Sequence, residues 1–242
     1  MNLIADIGNN SAKFFLFNEN QIVLHTRRGD GVFDIIGEWK EQYDIKHAIV
    51  SSVVDLTQEQ KSQFEALTCP LLWFNSMVKT PLKVNYRTPE TLGSDRLAAA
   101  VGAWNTTPGC NLLVIDAGSA ITVDFVDRTG TYCGGNIAPG IKMRLKALHH
   151  FTGRLPMVEK EGDTPLYGYN TDSAIRSGVL RGIAHEVEGY IQEAREKYGD
   201  VFVFLTGGDE NSLKNMIKSR IFADKNLVAK GLNGILQNYY NE

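Results

Sequence analysis

The chain alternates short apolar runs with polar turns, and the alternation at its beginning predicts a β-hairpin. Residues 3–5 are apolar, residues 6–11 read Asp-Ile-Gly-Asn-Asn-Ser, and residues 13–17 read Lys-Phe-Phe-Leu-Phe. Two apolar runs that flank a polar turn with a glycine are typical of neighbouring antiparallel strands.

The same pattern recurs about halfway along the chain. An apolar run at 112–115 leads into Asp-Ala-Gly-Ser-Ala at 116–120, and a second apolar-rich run follows at 121–126. Asp116 then corresponds to Asp6, and Gly118 corresponds to Gly8. One Asp-x-Gly tripeptide is weak evidence because it ends many strands, but two at matching places in successive halves predict a duplicated lobe.

Strands and helices alternate between and after these hairpins. The helix expected from residue 172 carries an apolar stripe that is interpreted as core or interface. The stripe consists of Ile175, Val179, Ile183, Val187 and Ile191. The remaining predicted elements are strands at 47–54, 70–74 and 201–205, and helices at 57–67, from residue 94 and at 212–218.

Helix caps and turns complete the predicted architecture. Thr57, Ser94 and Asp172 are expected to cap the helices that follow them. The glycine-rich segment 134–140 is interpreted either as a connection or as a loop that approaches a ligand or partner. The alternation of elements predicts an α/β fold with two similar lobes, residues 1–111 and 112–242, around a central cleft.

Composition narrows the class of protein and its partners. The 25 Lys and Arg residues against 28 Asp and Glu residues give a net charge of −3, so no nucleic acid partner is expected without a local basic patch. No apolar run is long enough for a membrane span and no signal peptide is visible, so we expect a cytoplasmic protein without a membrane partner. The three cysteines lack CxxC spacing and predict idle thiols, not a metal site.

The polar turns of the two hairpins are candidates for nucleotide binding. The turn at 8–11 offers backbone N–H groups to phosphate oxygens, and Lys13 adds a positive charge. Asp6 and Asp116 would repel a bare phosphate, so a phosphate site here implies a cation such as Mg²⁺. The glycine turn at 206–208 strengthens this interpretation. The alternative is that the carboxylates and glycines only shape tight turns.

A second candidate for chemistry lies at the start of the helix predicted from residue 94. Asp95 and Arg96 place a carboxylate beside a guanidinium, which suits a general base and an anion clamp. The alternative is an acidic residue that favours the helix dipole, followed by a solvent-facing arginine. His149 and His150 lack further ligands at metal-binding spacing and are interpreted as surface or interface residues.

The type III pantothenate kinases are the family that this chain resembles, in the order and spacing of its motifs, from residue 6 to about residue 208. The motifs that carry the resemblance lie at 6–13, 93–96, 116–124, 134–140 and 206–208. The resemblance implies the acetate and sugar kinase, Hsc70 and actin superfamily, with duplicated ribonuclease-H-like lobes. It also implies ATP-dependent phosphorylation of pantothenate at its primary hydroxyl to 4′-phosphopantothenate, the first step of coenzyme A biosynthesis.

The resemblance assigns roles to individual residues. Asp95 would accept the proton of the hydroxyl, Asp6 would lie near Mg²⁺, and Asp116 would bind K⁺ or NH₄⁺. Thr171 would reach the substrate of a neighbouring subunit, so a homodimer is implied. The ATP site would comprise Asp6, Ile7, Gly8, Asn9, Asn10, Ser11, Ala12, Lys13 and Ser119. The pantothenate site would comprise Tyr86, Gly93, Ser94, Asp95, Arg96 and Thr171.

Two positions depart from the family pattern. Asn10 and Ser119 both stand where the family usually has threonine. Ser119 keeps the hydroxyl and Asn10 can still donate to phosphate, so altered ATP affinity is expected and not lost activity. Dimer contacts are expected at 134–150 and at 175–191. The rival interpretations are a non-catalytic regulatory relative and a kinase or phosphatase of the same superfamily with another acceptor.

Overall fold

The structure is a computed structural model of the chain and describes residues 1–9, 11–28 and 34–241. Strands and helices alternate along it, so the predicted α/β class is confirmed. The strands are β1 (Asn2–Ile7), β2 (Ala12–Asn18), β3 (Gln21–Arg28), β4 (His47–Ser52), β5 (Leu71–Phe74), β6 (Lys83–Val84), β7 (Asn111–Ala117), β8 (Ala120–Val126), β9 (Thr131–Pro139), β10 (Val201–Thr206) and β11 (Phe222–Ala223). The helices are α1 (Asp34–Gln42), α2 (Gln58–Glu65), α3 (Ser94–Thr106), α4 (Ile141–Phe151), α5 (Thr171–Tyr198), α6 (Glu210–Leu213) and α7 (Leu227–Asn241).

The chain divides into two compact units. Unit 1 contains Met1–Pro108, Gly130–Tyr132 and Asn226–Glu242, whereas unit 2 contains Gly109–Thr129 and Cys133–Lys225. These units are defined by contacts, whereas the lobes 1–111 and 112–242 are defined by the repeat of the hairpin. The division at residue 111 stays a prediction.

Unit 1 contains a five-stranded sheet with the order β3-β2-β1-β4-β5. β1 is antiparallel to β2, which confirms the first predicted hairpin, and β1 is parallel to β4. Alternate apolar residues of β1 and β2, such as Leu3 and Phe14, are fully buried and pack against Trp39 of α1 and Phe64 of α2. α2 begins at a capping box of Thr57 and Gln60, so the predicted Thr57 cap is confirmed.

Helices α3 and α7 of unit 1 cross at glycines. A methyl group at Gly102 would collide with the carbonyl oxygen of Leu227, and one at Gly231 would collide with the carbonyl oxygen of Ala98. The backbones of the two helices therefore approach more closely than side chains would allow. This contact joins α7, at the end of the chain, to the helix that starts at residue 94.

Unit 2 is built around β7, β8 and β10. β7 is antiparallel to β8, which confirms the second predicted hairpin, and parallel to β10. The second sheet has the strand order β11-β10-β7-β8-β9-β6. Its strand β6 and the first residues of β9, which pair with each other, belong to unit 1. The apolar stripe of α5 is buried in the core of unit 2, so the core interpretation of the stripe is confirmed and its apolar residues are not available as an interface.

Both predicted caps at residues 94 and 172 are wrong. α5 begins after Asn170, whose side chain accepts a hydrogen bond from the backbone N–H of Ser173, and Asp172 lies inside the first turn. α3 begins after Gly93 without a side-chain cap, because the hydroxyl of Ser94 bonds to Ser51 instead. Acidic and hydroxyl residues are favoured both as caps and within the first turn, so their presence alone does not locate the cap.

Two other segments differ from the prediction. Residues 134–139 form most of strand β9 and are not a loop, and Gly140 is the residue before α4. A methyl group at Gly135 would collide with the carbonyl oxygen of Val123 on β8. Glycine here permits close approach of two strands and does not mark a turn. The helix predicted at 212–218 is only the short α6, which ends at Leu213.

Cys69, Cys110 and Cys133 form no disulfide bond within the described residues, and His149 and His150 are exposed. Among the described residues, no helix combines the length and the apolar character needed to cross a bilayer.

Candidate active site

The first hairpin places a carboxylate opposite an ammonium group. Asp6 is the penultimate residue of β1 and faces Lys13 on β2, with 3.5 Å between Lys13 Nζ and Asp6 Oδ2. The turn is closed by the Gly8 N–H group, which donates to the Ser11 carbonyl oxygen at 3.1 Å. Asn9 is exposed in this turn, whereas Asn10 lies outside the described residues. The hairpin therefore presents polar groups beside a fixed positive charge.

The environment of Asp6 favours a cation. Burial raises the pKa of the Asp6 carboxyl; the Lys13 ammonium acts in the opposite direction, and the charge of Asp95 raises this pKa further. Asp6 and Asp95 are distant in sequence but interact in the folded unit 1. Two carboxylates within electrostatic reach bind a proton or a cation to reduce their repulsion.

Helix α3 begins with a carboxylate folded over its own first turn. Asp95 Oδ1 accepts a hydrogen bond from the backbone N–H of Arg96 at 2.8 Å. A methyl group at Gly93 would lie 2.6 Å from Asp95 Oδ1, so the absence of a side chain at Gly93 leaves room for this carboxylate. The segment predicted as a general base and anion clamp thus has a geometry that depends on its glycine.

Ser51, to which the sequence assigns no role, connects the Asp6 hairpin to the start of α3. Ser51 lies beside Asp6 in the parallel pairing of β1 and β4, and its hydroxyl is 2.8 Å from the hydroxyl of Ser94. Both serines are buried. The predicted strand at 47–54 ends in small polar residues, which is the signal that could have identified Ser51.

Arg96 is buried beside the ring of Tyr86. Its side chain is only 5% exposed, and its Cζ atom lies 6.0 Å from the centroid of the Tyr86 ring. Tyr86 in turn contacts Tyr132 edge-on, with 6.2 Å between ring centroids. Stacking on aromatic faces stabilises a guanidinium that is removed from water. Arg96 is therefore not the solvent-facing residue that the alternative interpretation required.

The second hairpin repeats the first in unit 2. Asp116 is the penultimate residue of β7 and faces Thr122 on β8. Gly207, with φ of +100°, lies so close that a methyl group there would collide with Asp116 Oδ1 and with the carbonyl oxygen of Ala117. A side chain at this left-handed position would also be strained. The predicted glycine turn at 206–208 thus does meet the predicted Asp116 turn.

Two more segments meet this hairpin. Ser119 is exposed at its tip, and its carbonyl oxygen accepts a hydrogen bond from the Gly140 N–H group at 3.2 Å. The N–H group of Asp209 donates to the Ala117 carbonyl oxygen at 2.8 Å, and the Asp209 carboxylate pairs with Lys160 at 2.5 Å. Lys160 has no sequence signal that would have placed it here, because it lies far from every motif.

The fit of a cation to this second site can be judged from its donor atoms. Among residues of the described parts of the chain, no cluster of three or more His, Cys, Asp and Glu side chains is arranged to hold a metal ion. The hydroxyl of Thr122 is buried and has no hydrogen-bond partner. A carboxylate and a hydroxyl are hard oxygen ligands, which suit an alkali or alkaline-earth cation.

Thr171 is the first residue of α5 and is exposed. It lies in unit 2, whereas Tyr86 and residues 93–96 lie in unit 1.

Comparison with known proteins gives a consistent result over the whole chain. A profile of the family described as type III pantothenate kinase matches residues 2–193. A type III pantothenate kinase from Bacteroides fragilis strain YCH46 is 50% identical over 241 residues, which cover 100% of this chain and 99% of that relative.

Solved structures extend the comparison. A Campylobacter jejuni protein described as a conserved transcriptional activator of the Baf family has a TM-score of 0.65 at 25% identity, over 99% of this chain and 100% of that chain. A ROK-family glucokinase from Streptomyces griseus, in complex with glucose and AMPPNP, has a TM-score of 0.53 at 12% identity, over 99% and 100% of the two chains. The likeness to the glucokinase shows the fold alone, which is that of the sugar kinases with duplicated ribonuclease-H-like lobes.

Proposed function

The chain belongs to the type III pantothenate kinase family, and we propose that it transfers the γ-phosphoryl group of ATP to the primary hydroxyl of pantothenate. The product is 4′-phosphopantothenate, and the reaction is the first step of coenzyme A biosynthesis. The observation that carries this proposal is the bond between the hydroxyls of Ser51 and Ser94, because it joins the strand paired beside Asp6 to the helix start that carries a carboxylate and a guanidinium.

The turn of the first hairpin is proposed to bind the phosphates of ATP, and the resemblance to the family adds Ser119 to the ATP-binding residues. Asn9 and Ser119 are both exposed, and an amide and a hydroxyl are groups that can donate to phosphate oxygens. Lys13 adds a positive charge that Asp6 holds in place. Phosphoryl transfer has a loose transition state, so alignment and neutralisation of charge supply most of the catalysis. The full proposed set is Asp6, Ile7, Gly8, Asn9, Asn10, Ser11, Ala12, Lys13 and Ser119.

Asp6 is also the proposed ligand for Mg²⁺ that accompanies ATP. Burial and Asp95 raise the pKa of Asp6, and a nearby cation would relieve this unfavourable environment. Mg²⁺ in such sites is usually bound by one or two carboxylates together with phosphate oxygens, so a single carboxylate suffices from this chain. The ion would neutralise charge on the phosphates.

Asp95 is the proposed general base. Its carboxylate is held over the first turn of α3 by the Arg96 N–H group, and the Gly93 position leaves it space. It would orient the attacking hydroxyl of pantothenate and accept its proton late in the reaction. Ser51 supports this helix start through its bond with Ser94 and acts as a positioning residue.

Arg96 is the proposed partner of the pantothenate carboxylate. A guanidinium buried against Tyr86 has a defined orientation, and carboxylates pair well with such a group. Tyr86, Gly93, Ser94, Asp95 and Arg96 therefore form the proposed pantothenate site of unit 1.

The monovalent cation site and the homodimer are proposed because the resemblance to the family implies them. Asp116 is the proposed ligand for K⁺ or NH₄⁺. Thr171, exposed at the start of α5, is proposed to contact pantothenate in the neighbouring subunit of a homodimer. The enzyme is proposed to act in the cytoplasm, with ATP and pantothenate as its ligands and with neither nucleic acid nor membrane as a partner.

Two other functions, gene regulation and phosphorylation of a different acceptor, fit the chain less well. Gene regulation, in which the Campylobacter jejuni protein is described as active, is disfavoured by the net charge of −3 and by the retention of Asp6, Asp95 and Asp116. A kinase with a different acceptor is disfavoured by the buried Arg96 beside Tyr86, since a neutral sugar offers no carboxylate to this guanidinium.

The test is to incubate the pure protein with ATP, Mg²⁺, K⁺ and pantothenate and to measure phosphopantothenate by mass spectrometry. Glucose and N-acetylmannosamine serve as alternative acceptors, and the Asp95→Asn variant serves as the inactive control. We expect product from pantothenate alone and a rate about 10²- to 10⁴-fold lower in the variant. Folded protein that forms no phosphopantothenate would refute the kinase assignment.

A further inference from the structure

The two hairpins share an aspartate at the same place but differ in the residue opposite it on the second strand. Asp6 and Asp116 occupy the same place, the penultimate residue of the first strand. Each also has a buried hydroxyl residue beside it on the parallel neighbouring strand, Ser51 in unit 1 and Thr206 in unit 2. The residues on the antiparallel strand are different: Lys13 faces Asp6, whereas Thr122 faces Asp116.

This difference changes what each hairpin can bind. Residues directly opposite each other in an antiparallel pair project from the same face of the sheet. In the first hairpin the lysine reaches across and brings its ammonium group to 3.5 Å from the carboxylate. In the second hairpin the side chain of Thr122 has no charged group, and it presents a hydroxyl on that face.

The hydroxyl of Thr122 is itself unusual. It is buried and makes no hydrogen bond, although a buried hydroxyl without a partner destabilises a fold. Asp124, two residues further along β8, adds another carboxyl group to the same face and is 1% exposed. A buried hydroxyl without a hydrogen-bond partner, opposite one carboxylate and two residues from another on the same strand, has the surroundings of a cation ligand.

We infer that Thr122 Oγ1 is a ligand of the monovalent cation at Asp116, and that this ion takes the place which the Lys13 ammonium occupies in the first hairpin. The inference rests on the proposed function, which assigns the monovalent cation to Asp116 and makes K⁺ an activator of turnover. Its physical basis is that the residue opposite the carboxylate carries an ammonium group in the first hairpin and a hydroxyl in the second.

The inference predicts opposite effects for two substitutions. Thr122→Val keeps the shape of the side chain but removes the oxygen, so the K⁺ concentration for half-maximal activation should rise about tenfold or more. Thr122→Lys supplies a tethered ammonium group, so turnover should persist without K⁺ and should rise less than about twofold when K⁺ is added. Thr122→Ser retains the hydroxyl and should stay within about threefold of the parent protein.

Ser177 provides a matched control. Its hydroxyl is also buried in unit 2 without a hydrogen-bond partner, but it lies on α5 and away from Asp116 in sequence and topology. Ser177→Ala should therefore leave the K⁺ dependence unchanged. Ionic strength is kept constant with choline chloride, so that the comparison reports the specific cation.

A binding experiment without substrates separates this inference from the kinase assignment. Tl⁺, which replaces K⁺, is titrated by ²⁰⁵Tl NMR, and Tl⁺-soaked crystals of the parent protein locate the ion by anomalous scattering. We expect the ion on Asp116 and Thr122 and about tenfold or more weaker Tl⁺ binding in Thr122→Val. An ion elsewhere, or equal Tl⁺ affinity and K⁺ dependence in Thr122→Val and the parent protein, would overturn the inference. If Thr122→Val fails to fold, the crystal position and the Thr122→Ser and Thr122→Lys variants decide. Absence of phosphopantothenate with Tl⁺ bound at Thr122 would instead count against the kinase assignment alone.

Discussion

Gly93 is the residue on which the position of the Asp95 carboxylate most directly depends. Its backbone angles, φ −56° and ψ 130°, are available to any residue, so glycine is not required by the backbone. A methyl group would instead displace Asp95 Oδ1, which is the end of a short side chain. The requirement at this position therefore concerns chemistry more than folding.

The substitution Gly93→Ala should separate activity from stability. We expect kcat to fall about tenfold or more because the Asp95 carboxylate, the proposed base, moves, while the melting temperature changes little. Steady-state kinetics and thermal unfolding measure the two effects. Gly153→Ala, where a methyl group meets nothing within 4 Å, is the control and should keep the parent rate. Unchanged kcat in Gly93→Ala would mean that the Asp95 carboxylate does not need this space.

Asp6 should destabilise the fold at neutral pH. Because its pKa is raised in the folded state, ionising it costs folding free energy. This cost is absent below the ordinary aspartate pKa of about 4, and it is complete above the raised pKa of the folded protein. The carboxylate is thus retained at a cost in stability, as expected of a group that serves a ligand.

The Asp6→Asn variant tests this sign. Its free energy of unfolding relative to the parent protein should increase as the pH rises from about 4 towards neutrality, while kinase activity is lost. Urea unfolding at several pH values gives the measurement. In the control, Asp44→Asn, the trend should not appear, because Lys46 lowers the pKa of the exposed Asp44. A difference that does not vary with pH would contradict the prediction.

At the scale of elements, the crossing of α3 and α7 leaves no room for a side chain at its glycines, so substitutions there should lower the stability of the protein. Gly231→Ala should destabilise the protein by about 1–3 kcal/mol or more, because the methyl group meets the Ala98 carbonyl and the backbones must separate. Gly37→Ala in α1 meets no atom within 4 Å and should stabilise by about 0.5–1 kcal/mol through helix propensity. Chemical denaturation compares the two variants. Equal stabilities would show that the crossing can relax.

Some helices and strands could be predicted from the sequence, whereas others could not. Both hairpins, the α5 stripe and the capping box at Thr57 were predictable, because apolar periodicity and capping chemistry are local properties. Strand β9 was not predictable, because the glycines of 134–140 are equally compatible with a turn and with two strands that approach closely. The start of α5 at Asn170 was missed for a similar reason, since Asp172 and Asn170 are both good caps and only the backbone selects one.

At the scale of the whole molecule, the proposed homodimer predicts complementation between inactive variants. If Thr171 acts on the pantothenate of the neighbouring subunit, a dimer of one Asp95→Asn chain and one Thr171→Val chain contains one intact site. Random mixing should then restore about a quarter of the parent activity, because about half of the dimers are mixed and each has one working site of two.

The experiment refolds the two variants together and separately and measures phosphopantothenate formation. Analytical ultracentrifugation of each sample establishes its oligomeric state. A mixture no more active than its components, with dimer exchange demonstrated, would place Thr171 in the site of its own chain. A monomeric active protein would refute the homodimer.

The sequence by itself determined the α/β class, the repeated hairpin and the set of polar residues that are proposed to carry the chemistry. These features follow from local periodicity and from residue types that few other functions combine. Tertiary structure alone decided which residues meet: Asp6 beside Ser51, Ser51 with Ser94, Thr122 opposite Asp116, and α7 against α3. Strand register and the burial of charge bring distant segments together, and neither can be read from the spacing of residues along the chain.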